Sequence, residues 1–412
     1  MDKCTQESTK AGWGGKGSSM LVAVAGGRLQ GIEASYLAHK GGWEVRLLDR
    51  ESTPPALGMC DEFFQTDVTE MESFREAIRG VDCIIPALEN TEVLETMTRE
   101  AMRVGVPVAI DLDAYRISSS KVRSNRLFSQ IGVPQPTAWP RCGFPVVAKP
   151  DDGSGSRGVR VFGSAKEMEE AEKPDLSDGS WVLQEFVEGR TFSLEVLGFR
   201  EKYFPLQITD LFMDGGYDCK RVTAPTILSP ELCSDFERIS VDIAQALELK
   251  GIMDVEVVLK GHALKVLEID ARLPSQTPTA AFWSTGLNMV EMLGNIFVSQ
   301  DFELPKVGKA SGVVYEHIVI SPGVLEIAGE HIMTGYGPLR VVPEFFGADE
   351  AITSYGNDRD HWVASLVCAE SELSAAQKKM EGVIGEIRRR FRIERMLDSS
   401  PARVVSAIEG SL

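Results

Sequence analysis

Gly251 to Arg272 reads GIMDVEVVLKGHALKVLEIDAR, and this stretch decides the fold. Met253 to Leu259 and Ala263 to Ile269 are apolar runs bracketing Lys260-Gly261-His262, which predicts a β-hairpin. Residues i and i+2 of a strand face the same way. Asp254 and Glu256 therefore share a face of the first strand, as Glu268 and Asp270 do on the second. Closing the hairpin crowds three or four carboxylates together, which disfavours burial unless cations neutralise them. Oxygen-only ligands favour a hard cation, and Mg²⁺ with bound phosphate is the usual solution. Two half-exposed strands with acidic outer faces would carry the same letters. The sequel weighs against that: Arg272 follows at once, then Leu273-Pro274-Ser275-Gln276-Thr277-Pro278, a polar loop suited to a substrate.

Upstream, Phe144 to Lys149 reads as a strand ending in a lysine, followed by Pro150 and the glycine- and serine-rich run Asp151 to Gly158. A strand-end lysine can aim its charge at a phosphate while a glycine loop wraps N–H groups around the others. A hairpin turn with an exposed lysine is the plainer alternative. Lysine, glycine loop and carboxylate hairpin taken in order describe one task, which is holding ATP and positioning its γ-phosphate.

At the N-terminal side, Met20 to Ala25 and Glu44 to Leu48 are predicted strands. Gly26-Gly27-Arg28-Leu29-Gln30-Gly31 and a helix over Ile32 to His39 lie between them, and Asp49 ends the second strand. That is the opening of a parallel α/β unit. The turn lacks the full G-x-G-x-x-G order, so it is weak evidence for a dinucleotide. Further strands are expected at Glu62 to Gln65, Asp82 to Pro86, Val159 to Phe162, Trp181 to Val187 and Phe192 to Gly198. Helices are expected at Thr69 to Arg79, Ser118 to Gln130, Lys166 to Glu172 and Phe236 to Glu248. From about Ser311 strands and loops alternate, ending in a long helix from Glu372 to Phe391.

At 412 residues, two or three packed domains are expected. A net charge of −18 repels nucleic acid and anionic membranes, so neither is an expected partner. The seven cysteines are scattered without a C-x-x-C pair, which points to reduced thiols and a cytoplasmic setting. Residues 1–19 are polar and glycine-rich and read as a disordered extension or a cloning remnant. No run reaches the roughly 20 apolar residues of a membrane span.

The run Pro145 to Pro150, the glycine loop, Val182 to Gly189, Asp254-Val-Glu256 and Glu268-Ile-Asp-Ala-Arg272 together resemble the ATP-grasp ligases. The resemblance implies α/β and α+β architecture. A Rossmann-like pre-ATP-grasp domain would span 20–102, an ATP-grasp domain 103–310 and a C-terminal lobe with the terminal helix 311–412. It implies ATP at Arg28, Asp49, Lys121, Lys149, Ser156 and Gln184, Glu185, Phe186 and Val187, the last four along the adenine. Mg²⁺, expected as two ions, would sit on Glu256, Glu268 and Asp270, with Arg272 and Lys149 as the catalytic cations. ATP-grasp enzymes more often carry Asn at the position of Asp270, and many carry a ribose-binding acid where this chain has Thr191.

A closer resemblance, from Leu21 onward, is to the ligases of pyrrolysine biosynthesis. It is carried by Gly26 to Gly31, Asp111 to Ser118, Gly251 to Glu256 and Glu268 to Thr279. These enzymes join 3-methyl-D-ornithine to the ε-amine of L-lysine. The resemblance implies lysine at Leu29, Gln30 and Glu89, and the ornithine moiety at Ser193, Glu195, Asp254, Ser275, Gln276 and Thr277. A homodimer is expected because dimers are common in the fold class. The rival readings are an ATP-grasp ligase for other amino acids, a nicotinamide-dependent oxidoreductase built on the first glycine turn, and a non-catalytic ATP-binding protein.

Overall fold

The computed structural model describes residues 20–153, 155, 158–171, 180–356, 358 and 360–401. The expected extension 1–19 and Ser156 lie outside the described residues. The chain begins with β1 (Leu21–Ala25), α1 (Leu29–Lys40), β2 (Glu44–Asp49), β3 (Glu62–Gln65), α2 (Met71–Ala77), β4 (Cys83–Pro86) and α3 (Thr91–Arg103). The four strands form a parallel sheet in the order β3-β2-β1-β4. Val22 and Val24 face one core with Ile32 and Leu37, and Ala23 and Ala25 face another with Phe74 and Leu94. Burial on both faces is why these strands read as unbroken apolar runs. Gly26 takes φ +105°, and a Cβ there would come within 2.5 Å of the Ala87 carbonyl, so the turn beneath α1 requires glycine. Val108 bridges Ile84 in parallel, which carries this sheet past the expected boundary at Met102.

Next come α4 (Leu112–Ser118) and α5 (Lys121–Ile131), where the spacing predicts one helix from Ser118 to Gln130. The chain breaks there because Ser120 caps a new helix, its Oγ accepting from the Arg123 N–H. Lys121 consequently stands at the first position of α5. The strands β5 (Val146–Pro150) and β6 (Arg160–Phe162), the short α6 (Ala165–Glu170) and β7 (Trp181–Glu185) follow, and the strands pair in the order β6-β5-β7.

The rest of the chain is organised by one large sheet. Its strands are β8 (Arg190–Phe199), β9 (Lys202–Met213), β10 (Cys219–Ala224), β11 (Gly251–Lys260), β12 (Ala263–Asp270), β13 (Gly312–Ser321), β14 (Val324–Ile327), β15 (Arg340–Pro343), β16 (Glu350–Thr353), β17 (Trp362–Glu370) and β18 (Arg395–Asp398). The path runs β12-β11-β8-β9-β10-β13-β17-β16-β15, with β14 and β18 branching from β13. The β10–β13 pairing crosses the expected boundary at 310/311, so the central and C-terminal parts share a sheet.

Helix α7 (Pro230–Ala246) buries Phe236, Ile239 and Ile243 under that sheet. Each such side chain contributes about 1.5–3 kcal/mol. Two helices, α8 (Thr277–Thr285) and α9 (Met289–Gly294), pack between the sheet and α1, and α10 (Leu373–Arg390) covers β13 and β17. One apolar core joins Leu37 of α1, Ile252 of β11, Leu293 of α9 and Val363 of β17, which docks the N-terminal unit firmly against the rest. No described helix is long and apolar enough to cross a membrane. None of the six described cysteines is in a disulfide.

Candidate active site

The hairpin forms as its pattern requires: Asp254 pairs with Asp270 and Glu256 with Glu268. The neighbouring strand adds Glu195 opposite Asp254 and Ser193 opposite Glu256. Paired residues share a face, so five carboxylates crowd one side of the sheet. Burial, reinforced by Asp254 and Glu268, pushes Glu256 well above the ordinary carboxylate range. Burial likewise lifts Asp270 to about 7 and Asp254 to about 6, although Arg272 and the Ser193 hydroxyl pull the other way. For Glu195, burial and then Asp254 raise the value to about 8. Such a face is chemically incomplete without cations.

The protein supplies some of them. Lys121 Nζ lies 3.2 Å from Glu268 Oε1 and donates to the Gly153 carbonyl. Lys149 of β5 feels the same carboxylate: burial lowers its affinity for a proton while Glu268 works to keep it charged. Arg272 Nη2 lies 2.6 Å from Asp270 Oδ2 and 2.5 Å from Glu89 Oε1. Gln30 Nε2 donates to the same Glu89 oxygen at 2.8 Å. Burial opposes the Arg272 charge, but Asp270 and Glu89 outweigh it and hold the guanidinium protonated. Gln30 and Glu89, expected to hold lysine, and Arg272, expected to be catalytic, thus form one network across the seam between the α/β unit and the large sheet.

The loop leading into α8 is strained and under-bonded. Gln276 takes φ +69° although it is not glycine, and it is buried. Gln276 Oε1, Thr277 Oγ1 and Arg272 Nε are buried without a hydrogen-bond partner. Polar atoms left so in a native fold call for a ligand or a water. The α8 N-terminus is anchored from behind, where the Thr279 N–H donates to Glu33 Oε1 at 2.6 Å. All of this opens on a single cavity of about 1060 Å³. Its wall includes the first glycine turn, Gln184 to Val187, Lys121, Lys149, the hairpin carboxylates and Ser275 to Thr277.

The ATP-grasp domain family model matches residues 118–276. The 3-methyl-D-ornithine–L-lysine ligase of Methanosarcina mazei is 37% identical over 324 residues, covering 78% of this chain and 84% of that protein. Its namesake in Methanosarcina acetivorans is 36% identical over 352 residues, covering 82% and 93%. The chain belongs to the 3-methyl-D-ornithine–L-lysine ligase family.

Solved structures agree on the fold. Biotin carboxylase of Campylobacter jejuni, in complex with β,γ-ATP, superposes with a TM-score of 0.67 at 15% identity, covering 89% of this chain and 91% of that one. The biotin carboxylase domain dimer of the Hydrogenobacter thermophilus 2-oxoglutarate carboxylase, which carries MgADP, gives 0.68 at 16% identity, with 90% of each chain covered. The fold is therefore ATP-grasp, and ATP with Mg²⁺ is what such enzymes use.

Within this family member, several expected site residues sit differently from the expectation. Ser193 and Glu195 are fully buried and stand behind the cavity wall. Their strand is central in the sheet, between β9 and β11. Ser193 instead donates to Asp254 Oδ1, holding the carboxylate that does reach the cavity. Glu256, Glu268 and Asp270 share a face without forming a compact triad, because Lys121 engages Glu268 and Arg272 engages Asp270. Arg28 and Asp49 border the cavity at the N-terminal turn, Arg28 paired with Glu51 and Asp49 accepting from the Gly27 N–H. Glu185 lines the hinge, but its carboxylate is bound by Lys260 at 2.6 Å and Lys265 at 2.5 Å.

The sequence reading missed the C-terminal contribution. Asp218, Glu330 and His331 bring their ligand atoms within 4.8 Å of one another and border the same cavity, and Lys220, Asp398 and Ser400 border it too. Lys220 and Asp398 lie on strands and Glu330 and His331 on a short helical turn, far apart in the chain and with no repeating spacing to mark them.

Proposed function

We propose that this chain is an Mg²⁺- and ATP-dependent ligase that phosphorylates the carboxylate of 3-methyl-D-ornithine and couples it to the ε-amine of L-lysine. ADP, phosphate and 3-methylornithyl-N6-lysine would be the products. The observation that carries this reading is the in-register carboxylate face opposite Lys121 and Lys149, opening on the cavity that also holds the Gln30–Glu89–Arg272 network. A carboxylate oxygen is a very poor leaving group and phosphate is a good one, so activation by ATP makes the amide accessible.

The protein contributes position and charge. Lys149 and Lys121 offset the charge of the transferring phosphoryl group. Arg272, held protonated by its two acids, faces the carbonyl that becomes an acyl-phosphate. Glu256, Glu268 and Asp270 offer oxygen ligands on one face and would hold Mg²⁺, two ions in our reading; the metal would supply charge neutralisation for the phosphoryl group. Asp254 and Glu89 would receive ammonium groups, one from each amino acid. A nicotinamide-dependent oxidoreductase would have no use for either the buried lysine or the carboxylate hairpin.

The test is ADP release with Mg²⁺-ATP, D-ornithine as a surrogate and L-lysine, omitting each amino acid in turn. Release that needs the ornithine, with a lysine-containing amide by mass spectrometry, is the expected result. Tight ATP binding without release under any combination would reject this substrate pair.

A further inference from the structure

At the nucleotide end of the cavity the acid that follows Val187 directly is Glu188. Thr191, two residues past Gly189, stands where an acid would receive the ribose hydroxyls, and its Oγ1 already donates to the Leu211 carbonyl at 3.2 Å. Thr191, Leu211 and Val222 form a row across β8, β9 and β10. Lys220 lies two residues from that row and borders the same cavity as Gln184 to Val187, Lys121 and Lys149.

The group attached to Lys220 comes from the far end of the chain. β18 pairs in parallel with β14, and Asp398, Ser400 and Pro401 reach the cavity wall. Lys220 Nζ donates to Asp398 Oδ1, to the Ser399 carbonyl and, at 3.4 Å, to Ser400 Oγ. The Lys220 side chain is only 4% exposed, so its charge is spent on this segment. The Gly215 N–H adds a bond to Ser399 Oγ at 3.1 Å. Asp398 itself is 38% exposed, and its second oxygen lies 3.9 Å from Arg221 Nη2, beyond hydrogen-bonding reach. A carboxylate fixed through one oxygen and open at the other is suited to a pair of hydroxyls.

We propose that the C-terminal segment Asp398–Pro401, clamped by Lys220, forms the ribose side of the nucleotide site, with Asp398 Oδ2 accepting from the ribose hydroxyls. This rests on the ATP-dependent reading above. It adds to Glu188 an acid that lies 178 residues beyond Lys220 in the chain.

Calorimetric binding of MgADP and of the Mg²⁺ complex of 2′,3′-dideoxy-ADP to the full chain tests it. The unaltered protein is expected to bind ADP about tenfold or more tightly than the dideoxy analogue, the usual effect of hydrogen bonds to a charged group. Asp398→Ala should lose that factor for ADP and leave the analogue unchanged. Asp398→Asn keeps an oxygen for Lys220, so it should hold the segment in place and still lose part of the preference. Unaltered discrimination in Asp398→Ala would overturn the assignment. So would an equal loss for both nucleotides, which would make the segment a structural strap. Failure of the unaltered protein to bind ADP at all would instead reject the ATP-dependent reading, and this assignment with it.

Discussion

Two groups of carboxylates meet the same hairpin at its two ends and have opposite fates. At its turn end, Glu185 reaches across from β7 to Lys260 and Lys265. Burial opposes its charge, yet the two lysines prevail and pull it down to about 2. At the open end, Glu195, Asp254, Glu256 and Asp270 are all pushed upward, burial being the first cause in each. The first region is electrostatically finished and holds two sheets together. The second has more acid than the chain's own cations satisfy, so its completion must come from what binds. Local charge balance, more than the presence of acids, separates a strut from a site.

Breaking the open end should have the largest effect. Glu268→Gln is expected to reduce ADP formation on the order of a thousandfold. The fold should stay intact, since removing a charge from a crowded acidic face relieves repulsion. Circular dichroism with a turnover assay checks both halves, and normal turnover would sink the metal assignment.

Next in size is a stability effect at Glu195. Its carboxyl is raised to about 8 in the fold from a usual value near 4.5, so the unfolded chain gives up its proton first as pH rises. Stability of the ligand-free protein should therefore decline between about pH 4.5 and 8 and level off above. Glu195→Gln removes this contribution, and denaturant unfolding at pH 5 and pH 8 should show the variant losing less, by an amount on the order of a few kcal/mol. An identical decline in both proteins would contradict the assignment of a buried acid whose proton affinity is raised in the fold.

A smaller, kinetic effect is expected at the seam. Glu89→Ala and Gln30→Ala should each raise the KM for lysine by about tenfold, the loss of one charge-assisted hydrogen bond, with less change in kcat. Because Glu89 also contacts Arg272, its variant should lower kcat more than the Gln30 variant does. Unchanged lysine KM in both variants would move the lysine site elsewhere.

How much of this could be read beforehand follows the same division. The hairpin was legible because strand alternation has a period of two, so the four acids had to share a face once the turn was recognised. The first α/β unit was legible because burial on both faces leaves continuous apolar runs. α4 was hidden because Leu112 to Ser118 makes only two turns, and the helix expected from Ser118 begins instead at Lys121, where Ser120 caps it. β9 escaped notice because Pro205, Thr209 and Asp210 interrupt its apolar pattern, although Thr209 and Asp210 are buried in the sheet. The burial of Glu195 was equally hidden, because alternation fixes the face a residue takes but not what covers that face. Asp218, His331 and Asp398 reach the cavity by tertiary folding alone, and no local spacing encodes that.

The smallest effect belongs to the finished region. Glu185 is depressed in the fold, so the unfolded chain takes up its proton first as pH falls. Its contribution is fully present above about pH 4.5 and is lost progressively toward pH 2. Lys260 is half exposed and screened, while Lys265 and Glu185 are largely covered, so Glu185→Gln should cost about 1 kcal/mol at pH 7. The difference from the unaltered protein should shrink as pH falls below 4.5, the reverse of the Glu195 profile. Because only the side chain changes, the hinge backbone at Gln184–Val187 should still bind nucleotide with little loss. If Glu185→Gln instead abolished ADP binding while stability held, this carboxylate would belong to the site, and the division between strut and site would fail at the hinge.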